Sequence, residues 1–226
     1  MTRRLALVVL MAVLALLIAR DAAAGPPTDQ LRRSIDLVLK ILSDGDLKTE
    51  AKTAQRRVMI RTVANEIFDF GEISQRSLGR HWQARTPEER DEFVRLLGHL
   101  LERAYLGKLE LYNGERIVLL GDSVDGDLAT VRTRVVTRQG TEIPVDYRMF
   151  RSGERWRAYD VAIEGVSLVA NYRTQFNSII GRAGYPDLVV RLRAKQDERP
   201  GPREAGRREE AVLPTRVPPG PRSQTP

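Results

Sequence analysis

Apolar and polar residues follow two different periodicities along this chain, helical in the first half and strand-like in the second. Near the start, apolar residues recur every three or four positions, at Leu31, Ile35, Leu39 and Leu42. This spacing predicts a helix that Thr28 caps and that ends at Asp44-Gly45. Further helical patterns cover residues 49–66 and 68–78. The first half of the chain is therefore predicted to be helical.

The clearest helix start in the sequence is the tetrapeptide Thr86-Pro87-Glu88-Glu89. A threonine N-cap, a proline at the first helical position and a glutamate three residues after the threonine together make a capping box. The helix that follows, to about Tyr112, carries apolar residues over an unusually wide arc. Such an arc is typical of a helix that is buried in a core or lines a cavity, and core burial is the commoner case.

The second half of the chain alternates apolar and polar residues, as strands with one buried face do. Strands are predicted over residues 116–120, 127–138, 141–151 and 155–163, with glycine-containing turns between them. The predicted inner-face residues are Val131, Thr133, Val135, Ile143, Val145, Tyr147 and Met149. Helices over 166–182 and 186–194 follow a turn at Glu164-Gly165. The whole pattern predicts an α+β fold, an antiparallel sheet of about four to five strands with helices packed on one face.

The two ends of the chain differ in composition from the domain between them. Arg3 and Arg4 precede an apolar run of 15 residues over 5–19, which is followed by Ala22-Ala23-Ala24. This pattern predicts a cleaved secretory signal peptide over residues 1–24, because the run is shorter than the roughly 20 residues that span a bilayer. An uncleaved membrane anchor is the alternative. Residues 197–226 hold seven of the 12 prolines and predict a disordered tail. Residues 25–196 then make one domain.

Composition narrows the classes of partner. The net charge of +7 becomes +5 once the predicted signal peptide, with three arginines and one aspartate, is removed. Basic residues are spread among 30 acidic ones, without the basic stripe that nucleic-acid binding needs. A weak attraction to anionic membrane surfaces fits this charge. The chain has no cysteine, so it forms no disulfide and offers no cysteine for lipid attachment.

Two segments look like chemical sites and are rejected on their spacing. Gly121-Asp122-Ser123-Val124 resembles an esterase signature, but the only histidines, His81 and His99, precede it. A nucleophilic serine needs a histidine base within reach, so we interpret the segment as a turn. The nearby aspartates, Asp122, Asp125 and Asp127, miss the calcium-loop spacing. The sequence predicts neither a catalytic centre nor a metal site.

Several short motifs resemble, in order along the chain, those of the MlaC family of toluene-tolerance proteins. They are Phe68-Asp69-Phe70, Ile73-Ser74, Leu78-Gly79-Arg80-His81-Trp82, Thr86-Pro87-Glu88, Ile163-Glu164-Gly165-Val166-Ser167-Leu168 and Asn171-Tyr172-Arg173. The resemblance covers about residues 31–192. It implies a soluble periplasmic carrier that is not an enzyme. Such a carrier shuttles phospholipid between an outer-membrane lipoprotein–porin complex and the ring protein of an inner-membrane ABC transporter, which maintains outer-membrane lipid asymmetry. No cofactor is implied beyond the phospholipid cargo.

The resemblance also implies an apolar pocket between sheet and helices, in a fold similar to the cones of NTF2-like proteins. With the periodicity above, the predicted lipid-binding residues are Leu97, Leu101, Tyr105, Val131, Val145, Tyr147, Leu168, Tyr172 and Phe176. For each of them, ordinary core packing is the alternative role. Glu164, Asn171 and Arg173 are candidates for the pocket mouth or a head-group contact, with helix capping and surface pairing as the simpler alternatives.

Two functions of other classes stay open from the sequence. The first is an NTF2-like periplasmic enzyme that acts on an apolar small molecule, with Asp160 and Tyr147 as its candidate catalytic residues. The second is an envelope adaptor that binds its partner through the proline-rich tail. A carrier keeps its lipid when the tail is deleted, whereas an adaptor loses its partner.

Overall fold

Five antiparallel strands form one sheet whose spatial order follows the chain order. The computed structural model describes residues 26–197. The strands are β1 (Arg116–Asp125), β2 (Leu128–Val136), β3 (Glu142–Ser152), β4 (Arg155–Ile163) and β5 (Val166–Ser167). The helices are α1 (Pro26–Ser43), α2 (Thr53–Ile67), α3 (Phe70–Leu78), α4 (Pro87–Glu110), α5 (Leu168–Ala183) and α6 (Tyr185–Asp197). The predicted α+β fold is confirmed.

The ends of the chain stay as predictions. The predicted signal peptide, 1–24, and all but the first residue of the predicted tail, 197–226, lie outside the described residues. Within 26–197, no helix combines the length and the apolar character needed to cross a membrane.

The inner face of the sheet is the face that α1 and α2 cover. Val131 and Met149 are fully buried on it. Thr133, the next inner-face residue of β2 after Val131, is also buried. Helix α1 packs on β1, β2 and β4, and α2 packs on β4. The alternation predicted for the second and third strands is therefore confirmed, and β4 begins and ends at the predicted residues.

The prediction of a turn at Gly121-Asp122-Ser123-Val124 is wrong. These residues lie in β1, which continues to Asp125. The pairing of β1 with β2 shifts register between Leu119 and Gly121, and Gly121 has a φ of 103°. A glycine reaches this conformation without strain, so the strand bulges there and continues.

The prediction that Thr28 caps the first helix is also wrong, because α1 already begins at Pro26. The backbone N–H and the Oγ1 hydroxyl of Thr28 both donate to Oδ2 of Asp122, at 3.0 and 2.7 Å. Thr28 is fully buried. These two hydrogen bonds fasten the start of α1 to β1.

Helix starts depend on local capping, and one was predicted correctly. Thr86 Oγ1 accepts from the N–H of Glu89 at 3.2 Å, and the Glu89 carboxylate accepts from the N–H of Thr86 at 2.9 Å, so the capping box of α4 is confirmed. Helix α5 begins two residues later than predicted, at Leu168, because Val166 and Ser167 pair with β4 as β5. Ser167 then caps α5 by accepting from Ala170 N–H.

Two apolar clusters form the interior. The first cluster joins the inner sheet face to α1 and α2, and its members include Leu31, Ile35, Ile60, Leu106, Val131 and Met149. The second cluster joins α3, α4, α5 and α6 to one another, and its members include Leu78, Phe93, Leu97, Tyr172, Phe176 and Leu188. Phe68 packs against both.

Replacing Asp122 by alanine is expected to destabilise the fold. The change leaves two buried donors of Thr28 without an acceptor, which costs about 1–3 kcal/mol in free energy of unfolding. Urea unfolding followed by circular dichroism measures this loss. Asp125→Ala, at the exposed end of the same strand, is the matched control and is expected to stay within about 0.5 kcal/mol of the parent protein. Equal effects of both changes would contradict the role of Asp122.

Candidate functional site

Helix α4 runs from the second cluster to the first. Leu97 is fully buried in the second cluster, and Leu106, nine residues on, is buried in the first. Between them, Leu101 packs against the second cluster and Tyr105 belongs to neither. The main backbone neighbours of α4 are α3 and α6. The middle of α4 therefore crosses an interval between the two clusters.

Along β3, the inner-face residues also pass from the first cluster to a region that belongs to neither cluster. Met149 is buried in the first cluster, Tyr147 packs against that cluster, and Val145 belongs to neither. Burial raises the pKa of Tyr147 to about 12, yet the side chain stays partly accessible. Tyr147 therefore lies at the margin of the first cluster rather than inside it.

Helix α5 likewise has residues inside a cluster and a residue outside both clusters. Tyr172 stacks on Phe176 with ring centroids 5.6 Å apart, and Phe176 meets Phe93 edge-on at 5.6 Å. All three rings belong to the second cluster, whereas Leu168 at the start of α5 belongs to neither cluster and is only half-buried.

The predicted lipid-binding residues thus divide into three groups. Leu97, Leu101, Tyr172 and Phe176 lie in or against the second cluster, Val131 and Tyr147 in or against the first, and Tyr105, Val145 and Leu168 in neither. The structure brings the first group together in the second cluster and the second group together in the first cluster, so these two groups do not form one site. Lipid contact stays a prediction for all of them, and it is best supported for the group in neither cluster and for Leu101 and Tyr147 beside it.

Strand pairing adds two residues that the sequence prediction missed. Val161 pairs with Tyr147, and Ile163 pairs with Val145, so both lie on the inner face. Both are half-buried. Their signal was present in the alternation of β4, but β4 also carries a register shift opposite Arg148 and Met149, and this irregularity hides which of its faces is inner.

Asp160 belongs to the joint between β4 and α5 and lies apart from Tyr147. Its carboxylate accepts from Ser167 Oγ at 2.6 Å and from Val169 N–H at 3.0 Å, and it pairs with Arg148 at 3.1 Å. Because Asp160 pairs in register with Arg148 and Val161 with Tyr147, Asp160 and Tyr147 project from opposite faces. The two candidate catalytic residues therefore do not share a site.

The motif residues near the turn after β4 are held by local contacts. Glu164 and Gly165 have φ values of 50° and 81°, which confirms the predicted turn. The Nε2 of Gln175 donates to the side chain of Asn171 at 3.2 Å. A side chain at Gly79 would place its Cβ 3.1 Å from Cδ of Arg173, so the glycine lets Arg173 pass over the end of α3. None of these contacts caps a helix, since the N-cap of α5 is Ser167. Contact of Glu164, Asn171 and Arg173 with a head group stays a prediction.

An open groove lies elsewhere on the surface, beside the first turns of α1 and the hairpin between β3 and β4. Its volume is about 350 Å³, and it is lined by Gln30, Arg33, Ser34, Leu37, Glu66, Glu154 and Arg155. None of the predicted lipid-binding residues lines it, and most of its lining is polar. The groove does not match a site for acyl chains. Among the described residues, no group of three acidic or histidine side chains is arranged to hold a metal ion.

The fold and the interval between its clusters define a class of protein, the small α+β domains whose sheet and helices surround an apolar interior. Residues 32–194 match the family model described as MlaC protein, and the chain belongs to the MlaC family. The resemblance of the motifs to that family is thereby confirmed.

Relatives and a solved structure agree with this membership. The chain is 21% identical over 184 residues to the intermembrane phospholipid transport system binding protein MlaC of Haemophilus influenzae, covering 79% of this chain and 86% of that protein. It is 28% identical over 100 residues to the toluene tolerance protein ttg2D of Pseudomonas putida, covering 44% and 46%. The phospholipid-binding protein from Ralstonia solanacearum, solved at 1.53 Å in complex with a phospholipid, superposes with a TM-score of 0.67 and 27% identity, covering 76% of this chain and 97% of that one.

Replacing Asp160 by asparagine is expected to destabilise the joint between β4 and α5. The amide keeps the size of the carboxylate but loses its charge and one acceptor, which costs about 1.5–3 kcal/mol in free energy of unfolding. Asp146→Asn is the matched control. Asp146 lies on β3, on the outer face of the sheet that Asp160 also faces, and it makes no hydrogen bond to the start of α5. This change is expected to cost less than about 0.5 kcal/mol. Urea unfolding compares the two. Unchanged stability of the Asp160 variant would contradict this role.

Proposed function

We infer that this protein is a periplasmic phospholipid carrier. The observation that carries the inference is the interval between the two clusters, where Tyr105, Val145 and Leu168 belong to neither packed core. Helix α4 contributes Tyr105 to this interval and the inner sheet face contributes Val145. Acyl chains can enter by separating these side chains while the packing of α4 on α3 and α6 stays intact. Family membership and the phospholipid complex of the Ralstonia solanacearum relative support the inference.

The physical task of such a carrier is to replace the bilayer interior. Two acyl chains hold on the order of 30 methylene groups, and each is worth roughly 0.8 kcal/mol out of water. Unassisted desorption from a membrane then faces a barrier on the order of 24 kcal/mol. An interior of aliphatic and aromatic side chains lowers that barrier, because the chains pass from one apolar surrounding to another.

The finer part of the proposal concerns where the lipid goes. As the motif resemblance implied, the carrier exchanges phospholipid with an outer-membrane lipoprotein–porin complex and with the ring protein of an inner-membrane ABC transporter. The name of the Haemophilus influenzae relative, which places that protein in an intermembrane phospholipid transport system, supports this route. The competing enzyme function gains no support, because Asp160 and Tyr147 lie on opposite faces of the sheet.

Native mass spectrometry tests the carrier function directly. The mature protein is purified from the periplasm without detergent, its mass is measured, and its lipid is extracted. We expect an added mass that matches phospholipid at a fixed stoichiometry. A homogeneous ligand-free protein that takes up no lipid from phospholipid vesicles would contradict the proposal.

A charge placed in the interval is expected to expel the cargo. Leu101→Arg puts a guanidinium among apolar side chains at a half-buried position of α4, and its desolvation opposes the bound acyl chains. We expect several-fold less phospholipid per protein in the same measurement, with a circular dichroism spectrum like that of the parent. Leu111→Arg, just after the same helix and 78% exposed, is the matched control and is expected to keep its lipid. Wild-type lipid content in Leu101→Arg would remove Leu101 from the lining.

A further inference from the structure

An unbalanced group of charges lies where α2 meets the end of α4. Arg57 donates to both carboxylate oxygens of Glu110, from Nε at 2.7 Å and from Nη2 at 2.9 Å. Arg56 approaches the same carboxylate with its Nη2 at 3.6 Å, beyond hydrogen-bond distance. Two guanidinium groups therefore share one carboxylate, and the group keeps one positive charge.

Arg56 is the residue that this arrangement leaves unsatisfied. Only 11% of its side-chain surface is exposed, and its Nε is buried with no hydrogen-bond partner among the described residues. A buried guanidinium N–H that has lost its water and has no acceptor is costly. An anion with several acceptor oxygens would supply both the missing charge and the missing acceptors.

The position of the group connects it to the apolar interior. Ile60 follows Arg56 by one turn of α2, and Leu106 precedes Glu110 by one turn of α4; both are buried in the first cluster. Residues four apart on a helix share a face, so the charges continue the apolar faces of both helices. The group therefore marks one end of the interior that is bounded by the first cluster.

Two ion pairs bridge α2 and α4 across the seam between them. They are Arg57 with Glu110 and, further along, Arg61 with Glu102. An ion pair with exposed partners separates at little cost in free energy. A polar group at the end of an acyl chain can therefore lie in this seam while the chain reaches the interior.

We propose that Arg56, with Arg57 and Glu110, binds the phosphate group of a phospholipid whose chains occupy the interior. This site rests on the proposed carrier function. A phosphodiester carries one negative charge, which balances the one positive charge of the group, and its oxygens accept from the Arg56 guanidinium while Glu110 stays with Arg57. Phospholipids that carry a head-group alcohol share this phosphodiester, so the site selects for the phosphate and not for the head-group substituent.

Competition between two soluble lipids tests the site. The full mature chain is exchanged with an equimolar mixture of dioctanoyl phosphatidylglycerol and dioctanoylglycerol, which differ in the phosphate-containing head group, and the bound ratio is read by native mass spectrometry. We expect the parent protein to favour the phospholipid by about ten-fold or more. Arg56→Gln is expected to bring the ratio close to one while uptake of dioctanoylglycerol is kept, and Arg56→Lys is expected to restore part of the preference.

Arg61→Gln is the matched control, since it removes an arginine of the same seam that is 49% exposed and paired with Glu102; the parent ratio is expected to persist. A parent protein that takes up both lipids equally would overturn the phosphate site and leave the carrier function intact. A parent that takes up neither would overturn both. An Arg56→Gln protein that loses both lipids in proportion would show a structural role and overturn the site. Inorganic phosphate, added alone, tests the other source of the same chemistry: a bound phosphate together with no preference for the phospholipid would assign the site to a free anion and overturn the proposal.

Discussion

The double role of α4 is the constraint on which the rest of the structure depends. This helix of 24 residues is about 36 Å long at roughly 1.5 Å per residue, enough to serve one cluster near its start and the other near its end. The helix packs on α3 and α6, and through Leu106 it joins the sheet-side cluster near its other end. The interval beside Tyr105 is the consequence, and the proposed cargo site follows from it.

Polar joints hold the elements around that interval. Thr28 and Asp122 fasten α1 to β1, and Asp160 fastens the start of α5 to β4. The seam between α2 and α4 is likewise bridged by ion pairs, and the hydrogen bonds from Arg57 lower the pKa of Glu110. These hydrogen bonds and ion pairs fix the positions of the helices at the edges of the fold. The fold can therefore be stable even where the apolar residues between them are not closely packed. The interior of the proposed carrier, which accepts and releases chains, benefits from this division.

The sequence predicted what is local and missed what joins distant residues. The capping box at Thr86 and the alternation of β2 and β3 are short-range patterns, and both are confirmed. In the sequence, a glycine such as Gly121 signals a turn or a strand bulge equally. The acceptor for Thr28 lies 94 residues away. Neither feature was therefore predictable from residue spacing. For the site, periodicity identifies the apolar face of a helix or strand but not the cluster that the face joins. The relation of Arg56 to Glu110 has no sequence pattern at all, because it exists only once α2 and α4 are assembled.

An apolar interior and a charged seam contribute differently to the choice of cargo. The free energy of burying methylene groups is proportional to their number and does not depend on the group to which the chains are attached. The interval alone would therefore hold a diacylglycerol as well as a phospholipid. Discrimination needs a polar contact whose absence leaves a buried group unpaired. Arg56 is such a group, since its Nε is buried without a partner among the described residues. In the proposed carrier the two parts are complementary: the interval supplies most of the free energy of binding, and the seam selects a cargo that carries a phosphate.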